Sequence, residues 1–203
     1  MSIPFQDSET AKNLLRAFAG ESQARNRYDF AANLCQKQEL QAMAFIFQAT
    51  AKQEQAHAKV FWDHLQALNG QNLPIYGAYP IEGTNRILEL LRAAQHNEHE
   101  EHGSVYPSFA AIATQEGFPE ATASFQQIAA IEQLHGERFG LLADQLESGA
   151  LFVSQIETGW MCLNCGHTQN SLEAPKQCPV CNHGQGWFIR LELAPWSPVV
   201  KQT

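Results

Sequence analysis

Two Glu-x-x-His motifs, far apart in the chain, restrict the fold more than any other feature of this sequence. Glu54 and His57 form the first motif, and Glu132 and His135 form the second. Residues three positions apart on an α-helix lie on one face, about one turn from each other. The carboxylate and the imidazole of each motif could therefore bind the same metal ion from a single helix.

Two other helix-like segments each carry a glutamate near their centre. Glu21 lies in the sequence Gly-Glu-Ser-Gln-Ala-Arg, and Glu98 is followed by Glu101 on the same helical face. Glu-x-x-His on two helices and Glu on two others is the ligand set of bundles that hold a pair of carboxylate-bridged metals. One mid-helix glutamate alone is usually solvent-exposed, but four of them on four apolar faces indicate a common site. The predicted ligands, which are also the candidate catalytic residues, are Glu21, Glu54, His57, Glu98, Glu101, Glu132 and His135.

Apolar residues recur with helical spacing in four long segments, at about residues 8–36, 39–68, 84–112 and 119–148. Asp7 or Ser8 is the expected N-cap of the first helix, and Gly70 is suited to the left-handed end of the second. Between the second and third helices, residues 71–83 form a connection long enough to cross the bundle, as in ferritin-type folds. The pattern predicts an all-α, ferritin-like four-helix bundle.

Pro107 interrupts the third segment close to its acidic residues. A proline inside a helix removes a backbone hydrogen bond, so we expect a kink or a bulge at this point. An unbroken helical period would continue the core face through Val105, Phe109 and Ile112.

The five cysteines divide into an isolated Cys35 and two Cys-x-x-Cys pairs. The pairs are Cys162, Cys165, Cys178 and Cys181. Four thiolates in two tight turns can hold one iron or one zinc ion in a tetrahedral site. An odd total that includes paired motifs fits a metal site in a reducing compartment better than a disulfide framework. We expect a bundle at 1–150, followed at 151–203 by a small metal-binding domain with short β-strands, one of them near 188–193.

Charge and hydropathy exclude two classes of partner. The formal net charge is −8, which disfavours binding to nucleic acid or to an anionic membrane surface. No apolar run reaches membrane-spanning length, and the N-terminus lacks a basic stretch followed by an apolar one. We therefore expect a soluble, cytoplasmic protein.

Burial of so many acids requires positive charge, because an isolated carboxylate in the protein interior would lose its charge instead. Two divalent ions would nearly cancel the five glutamates, and oxygen ligands with one imidazole per metal suit iron or manganese. Glu54 and Glu132 are the expected bridging carboxylates, since each shares its helix face with a histidine. Glu21 and Glu98 are then terminal ligands, one on each metal. Glu101 is a fifth carboxylate that could compete with His57 for one metal.

Other polar residues have weaker assignments. Tyr28 and Tyr106 are placed to donate hydrogen bonds to ligands, although core packing explains them about equally well. Cys35 is expected to be a buried small hydrophobe. The remaining histidines are interpreted as surface residues or as neighbours of ligands; they are His64, His96, His99, His102, His167 and His183.

Taken together, these motifs resemble the rubrerythrin family over about residues 10–193. The resemblance rests on the Gly20–Tyr28 segment, both Glu-x-x-His motifs, Glu98-x-x-Glu101 followed by Tyr106-Pro107, and the cysteine pairs. It implies a non-haem di-iron centre and a rubredoxin-like iron site with four cysteine ligands. It also implies reduction of hydrogen peroxide to water, protection against oxidative stress, and electrons from NAD(P)H through a reductase or a rubredoxin. Two departures are Asn182, where rubredoxin-like sites often have glycine, and the unmatched tail after Pro195.

Two other functions remain open. A ferritin-type iron-oxidising protein would explain the bundle but not the cysteine site, and a zinc-stabilised interaction module would leave the bundle ligands unexplained. Along the fourth helix, about 24 Å separates Glu132 from the start of the cysteine region. This distance is long for rapid electron transfer, so we expect a head-to-tail homodimer in which one subunit's cysteine site faces the other's bundle.

Overall fold

The computed structural model describes residues 3–195, and its first part is the predicted four-helix bundle. Two of the rods, α1 and α2, pack against each other, while α5 packs against both α3 and α4, which together form the remaining rod. The helices are α1 Glu9–Lys37, α2 Gln41–His64, α3 Ile87–Glu100, α4 Tyr106–Glu116 and α5 Pro119–Glu147. Within residues 3–195, no helix has both the length and the apolar character needed to cross a bilayer.

The start of α1 agrees with the prediction, but the turn between α1 and α2 differs slightly from it. Ser8 is the N-cap of α1, as expected, and its hydroxyl accepts a hydrogen bond from Ala11 N–H at 3.0 Å. However, α2 begins two residues later than predicted because Glu39 adopts a left-handed conformation with φ of 59°. Glu39 N–H donates to Gln36 O and Leu40 N–H donates to Cys35 O, which is the Schellman pattern that ends a helix.

The connection after α2 crosses the bundle as predicted. A 3₁₀ turn, Leu65–Leu68, ends the second rod, and Gly70 follows in the left-handed region with φ of 79°. No helix or strand is formed between Asn69 and Arg86. The next helix starts at Ile87, slightly later than the sequence pattern predicts.

The predicted distortion near Pro107 is a π-helical turn, Glu101–Val105, between α3 and α4. Because Pro107 has no N–H, it cannot donate the hydrogen bond that would continue a regular helix. The turn moves the buried face by one residue, so the core positions are Tyr106, Ala110 and Ala113. The unbroken period that placed Val105, Phe109 and Ile112 on this face was therefore wrong by one position; these three are only partly buried.

Two apolar clusters fill the bundle, one on each side of a charged layer. The first cluster includes Phe47 and Phe139, and the second includes Phe61 and Phe125. Along α5, Glu132 and His135 lie between Phe125 and Phe139. The same order occurs on α2, where Glu54 and His57 separate Phe47 from Phe61, so the layer crosses the middle of the bundle.

The C-terminal part forms a three-stranded antiparallel sheet in the order β2-β1-β3. Its strands are β1 Val153–Cys162, β2 Thr168–Glu173 and β3 Phe188–Arg190. The predicted strand near 188–193 is shorter than expected because Leu191–Leu193 form a 3₁₀ turn. Met161 and Ile189 join the apolar cluster of the bundle. The domain boundary at residue 150 stays a prediction, and the tail 196–203 lies outside the described residues.

A glycine allows the sheet region to dock closely against the bundle. A Cβ atom at Gly186 would lie 1.7 Å from the backbone oxygen of Glu39. Gly184, two residues earlier, has open space around the same position. We therefore expect Gly186→Ala to lower the free energy of unfolding by about 1–3 kcal/mol through forced displacement of backbone.

Urea denaturation of the metal-loaded protein measures this cost, with Gly184→Ala as the matched control. Gly184 has φ of −68°, so alanine is tolerated there and stability should stay within about 0.5 kcal/mol of the original chain. Equal stability of the two variants would contradict the docking described here.

Candidate metal centres

Six of the seven predicted bundle ligands converge in the charged layer, in two groups. The first consists of Glu21, Glu54, His57 and Glu132, and the second of Glu54, Glu98, Glu132 and His135. Within each group, one ligand atom per residue lies within 4.8 Å of all the others. Each group contains one histidine, and Glu54 and Glu132 belong to both.

The two shared glutamates are positioned between the two imidazoles. The Nδ1 atom of His57 lies 2.9 Å from Glu54 Oε2 and 2.9 Å from Glu132 Oε1. The Nδ1 atom of His135 lies 3.0 Å from Glu54 Oε1 and 2.8 Å from Glu132 Oε2. Each shared carboxylate therefore directs one oxygen towards each histidine, which is the geometry required of a bridging carboxylate. The unshared Glu21 and Glu98 lie one in each group.

The atoms in this layer fit metal ions better than they fit one another. Both oxygens of Glu54 and of Glu132, and Nδ1 of both histidines, are buried without a well-oriented hydrogen-bond partner. One oxygen of Glu21 and one of Glu98 are also buried without such a partner. Buried polar atoms rarely lack partners, and here they all point towards shared centres. The donor set of carboxylates with one imidazole per group is suited to iron or manganese.

Two buried tyrosines support the unshared glutamates. The Tyr28 hydroxyl donates to Glu98 Oε1, and the Tyr106 hydroxyl donates to Glu21 Oε1. Both tyrosines are at most 2% exposed, so burial raises the pKa of each, and the nearby glutamates raise it further. Each tyrosine thus stays a proton donor and orients one carboxylate.

Gln53 is a further neighbour of the site and is not among the predicted residues. The Nε2–H of His135 donates to Gln53 Oε1 across a distance of 3.0 Å. This contact leaves Nδ1 of His135 free to face the carboxylates, the usual way in which the tautomer of a metal-binding histidine is fixed. No pattern in the sequence distinguishes Gln53 from an ordinary exposed helix residue.

The carboxylates and imidazoles of this layer shift one another's pKa values. Burial alone would lower the pKa of His57, but the close contacts of its Nδ1 atom with the Glu132 and Glu54 carboxylates outweigh burial and raise the pKa to about 9. The pKa of His135 is raised to about 12 by Glu132, Glu54 and Glu98 despite burial. Burial raises the pKa of Glu98 to about 8 and places that of Glu21 well above its usual range. Protons and metal ions therefore compete for the same atoms.

Glu101 does not belong to either group of converging ligand atoms. It is the first residue of the π-helical turn and lines a cavity beside α1. Burial raises its pKa well above the usual range, and the charges of Glu98, Glu132 and Glu54 add to this effect. Its predicted exchange with His57 on one metal stays a prediction.

The remaining histidines make ordinary contacts. His64 pairs with the Ser124 hydroxyl, and His102 Nδ1–H donates to Ala129 O at 2.8 Å. His99 packs directly against Gly136, where a Cβ atom would lie 2.3 Å from the imidazole. Near the sheet, His167 contacts the side chain of Gln169, and His183 contacts the carbonyl oxygen of Cys181. His96 lies on the surface close to Glu100.

The four paired cysteines form a second metal-binding group. The sulfur atoms of Cys162, Cys165, Cys178 and Cys181 all lie within 4.8 Å of one another. Cys162 Sγ is 3.7 Å from Cys181 Sγ, and Cys165 Sγ is 3.6 Å from Cys178 Sγ. A hydrogen bond from the backbone of His183 contributes most to lowering the pKa of Cys181, to about 5. The arrangement fits one tetrahedral ion. Cys35 is fully buried elsewhere, as predicted, and burial raises its pKa to about 12.

Asn182 occupies the position after the second cysteine pair at which glycine was expected. Gly166 follows the first cysteine pair with φ of 77°, and Asn182 follows the second with φ of 60°. Gly166 N–H donates to Cys162 O at 2.8 Å, and Asn182 N–H donates to Cys178 O at 3.0 Å. Asparagine tolerates the left-handed region better than most residues, so the two turns are equivalent.

A four-helix bundle with a carboxylate-bridged site, joined to a four-cysteine site, defines a ferritin-like di-iron protein with a rubredoxin-like domain. Family models match both parts: "Rubrerythrin" covers residues 12–143, and "Rubrerythrin, rubredoxin-like domain" covers residues 160–189. The chain belongs to the rubrerythrin family, an oxidoreductase family with a di-iron centre and a rubredoxin-like iron site.

Individual relatives agree along almost the whole chain. Rubrerythrin of Porphyromonas gingivalis is 43% identical over 188 residues, covering 93% of this chain and 92% of the relative. Rubrerythrin of Nitratidesulfovibrio vulgaris is 39% identical over 186 residues, covering 92% and 96%. The solved structure of fully reduced nigerythrin superimposes with a TM-score of 0.61 at 25% identity, covering 94% of this chain and 88% of nigerythrin.

Substitution of a shared ligand should affect both metal positions, whereas substitution of an unshared ligand should affect mainly one. We expect Glu132→Gln to lose both bundle metals, because Glu132 contributes to both groups. Glu21→Gln should lose about half as much, since the second group remains complete. Metal content by mass spectrometry measures the loss, and the ion in the four-cysteine site provides an internal standard.

Glu137→Gln is the matched control on the same helix. Glu137 is exposed and pairs only with Gln133 within the described residues. The Glu137→Gln protein should therefore retain both bundle metals. Retention of both metals by the Glu132→Gln protein would show that Glu132 does not bridge.

Proposed function

We propose that this protein reduces hydrogen peroxide to water at the di-metal centre of its bundle and thereby protects against oxidative stress. In this reaction one O–O bond is broken, two electrons and two protons are consumed, and two water molecules form. The observation that carries the proposal is the sharing of Glu54 and Glu132 by both ligand groups. Two ions held side by side can together supply the two electrons that cleavage of a peroxide bond requires.

The protein side chains around the centre would hold and insulate it. Glu21 and Glu98 would each bind one ion. The hydrogen bonds from Tyr106 to Glu21 and from Tyr28 to Glu98 would keep these carboxylates oriented. The apolar clusters on either side exclude bulk water. A dry, preorganised site strengthens the electrostatic interactions within it.

The four-cysteine site would deliver the electrons. Iron bound by four thiolates can change its charge by one electron, whereas zinc in the same site would only stabilise the fold. The physiological donor would be a rubredoxin or an NAD(P)H-dependent reductase, which passes electrons singly to this iron. Cys162, Cys165, Cys178 and Cys181 would hold the iron that receives these electrons.

Electron delivery would take place between two copies of the chain. The segment from Glu132 to the end of α5 spans about 22 Å, and the sheet region docks beyond that end, near Glu39. Such a separation is unfavourable for rapid transfer within one chain. A head-to-tail homodimer would place the cysteine site of one subunit against the bundle of the other.

Stopped-flow mixing of the reduced protein with peroxide tests the reaction. We expect rapid reoxidation by hydrogen peroxide and much slower reoxidation by oxygen, followed by recovery of the reduced protein when donor is added. Preferential reaction with oxygen, accompanied by catalytic oxidation of added Fe(II), would instead support a ferritin-type iron-oxidising function. The Glu137→Gln protein should behave like the original chain.

Complementation tests transfer between subunits. Cys178→Ser should abolish donor-driven turnover by disrupting the cysteine site, and Glu132→Gln should abolish it by disrupting the bundle site. When the two inactive proteins are unfolded together and refolded with iron, random dimers should recover about a quarter of the original activity. Each mixed dimer then contains one intact cysteine site facing one intact bundle.

The complementation control is each variant refolded alone, which should remain inactive. Activity that is not restored in proven mixed dimers would show that electrons pass within one chain. This outcome would leave peroxide reduction itself unaffected.

A further inference from the structure

A cavity of about 220 Å³ adjoins the di-metal layer, between α1, the crossing connection and the π-helical turn. Gly20 lines it from α1, Tyr79 from the connection, and Glu101 and Tyr106 from the opposite side. Tyr106 donates its hydroxyl hydrogen to Glu21. Exposed Gly77 and Ala78 line its outer side. The cavity therefore extends from the protein surface to Tyr106, which contacts a candidate ligand directly.

Hydrogen bonds to α1 fix the connection between α2 and α3 in place over this cavity. Tyr79 O–H donates to Arg16 O at 3.0 Å, and Arg16 Nε–H donates to Tyr76 O at 2.9 Å. Gln23 donates its side-chain N–H to Pro80 O at 2.6 Å. Three contacts within five residues of otherwise irregular chain restrict the position of the Tyr79 ring.

Gly20 leaves an opening that the helix itself does not require. Glycine is unfavourable inside a helix, and Gly20 is not among the glycines with positive φ. A Cβ atom there would lie 3.6 Å from Tyr79 Cε1 and 3.9 Å from Glu101 Oε1, which are ordinary contact distances. Neither backbone conformation nor packing thus excludes alanine. What glycine uniquely provides is free space between the Tyr79 ring and the Glu101 carboxylate.

We propose that this cavity is the entrance by which peroxide reaches the di-metal centre, and that Gly20 and Tyr79 set its width. The inference rests on the proposed peroxide reduction and adds a specificity filter to it. Two hollows elsewhere on the bundle surface are lined by none of the candidate ligands.

The charges around the entrance favour a small neutral molecule. Arg16 is paired with Glu9, and Arg27 is paired with Glu82 at 2.9 Å, so a carboxylate offsets each guanidinium. Glu100 and Glu101 also line the cavity and disfavour an anion. Polar groups of Gln23 and Asn97 lie on the same walls. Hydrogen peroxide suits this polarity and the space beside Gly20, where one added methyl group would already contact Tyr79 and Glu101. A bulky alkyl hydroperoxide would pass this point less readily.

Variants that narrow or widen the entrance test the proposal in the iron-loaded protein. Gly20→Leu should slow reoxidation by hydrogen peroxide at least about tenfold, and Gly20→Ala should slow it less while increasing thermal stability. Tyr79→Ala should increase the rate with tert-butyl hydroperoxide, relative to that with hydrogen peroxide, by about tenfold. Metal content and visible spectra establish that the centre is intact in each variant.

Asn26→Leu is the matched control. Asn26 is an exposed residue on the same helix and lines one of the other hollows. Its substitution adds similar bulk away from the entrance, so peroxide rates should not change. Unchanged rates in the metal-replete Gly20→Leu and Gly20→Ala proteins would overturn the proposal.

Thiol labelling examines the entrance without relying on turnover. In Gly20→Cys, the new thiol should react readily with the small neutral reagent methyl methanethiosulfonate and slowly with a bulky aromatic disulfide. Adding Tyr79→Ala should accelerate only the bulky reagent. Buried Cys35 serves as an unreactive internal control.

The labelling result distinguishes the two proposals. Size-selective labelling in a protein that does not react with peroxide would reject peroxide reduction as the function and leave the cavity as an entrance for another small molecule. An unreactive thiol at position 20, in a metal-loaded protein, would show that the cavity does not admit small molecules and would overturn the entrance.

Discussion

The bundle depends on placing positive charge among carboxylates that it removes from water. Glu54 and Glu132 are almost completely buried, and each lies 2.8–3.0 Å from the Nδ1 atoms of His57 and His135. Carboxylates in an apolar interior stay ionised only when positive charge lies beside them. Cations resolve this conflict, whether they are protons on the imidazoles or metal ions between the carboxylates. Because each of the four rods contributes a ligand to the charged layer, metal binding depends on correct packing of the rods. The same layer separates two apolar clusters, so loss of the cations would destabilise the middle of the bundle rather than one end.

The central features were predictable from sequence because they follow from helical geometry. A spacing of three residues places Glu54 with His57 and Glu132 with His135, and an apolar stripe shows which way each pair faces. Four such stripes leave few alternatives to a bundle whose acids meet at its centre. The left-handed turn at Gly70 and the distortion near Pro107 were predictable for a similar reason, since glycine and proline restrict the local backbone directly.

Features that depend on contacts between distant segments were not predictable in the same way. Glu39 adopts a left-handed conformation unusual for its residue type, at a turn where Gly186 of the distant sheet region approaches its carbonyl oxygen. Gln53 acquires its role because His135 approaches it from another helix. The strands β1 and β2 lack the strict apolar alternation that identifies a strand, since the long strand β1 is mostly exposed before Trp160.

The π-helical turn explains both why the predicted buried face of α4 was wrong by one position and how the site is arranged. It adds one residue to the turn after Glu100, which moves Tyr106 onto the buried face and allows its hydroxyl to reach Glu21. A regular helix would instead bury Val105, which has no hydrogen-bond donor in its side chain. The same turn begins at Glu101 and leaves this carboxylate at the edge of the ligand groups, facing the cavity. π-Helical turns are irregular and are concentrated at functional sites. One inserted residue thus both orients a candidate ligand and places an acid beside the space through which a small molecule could approach.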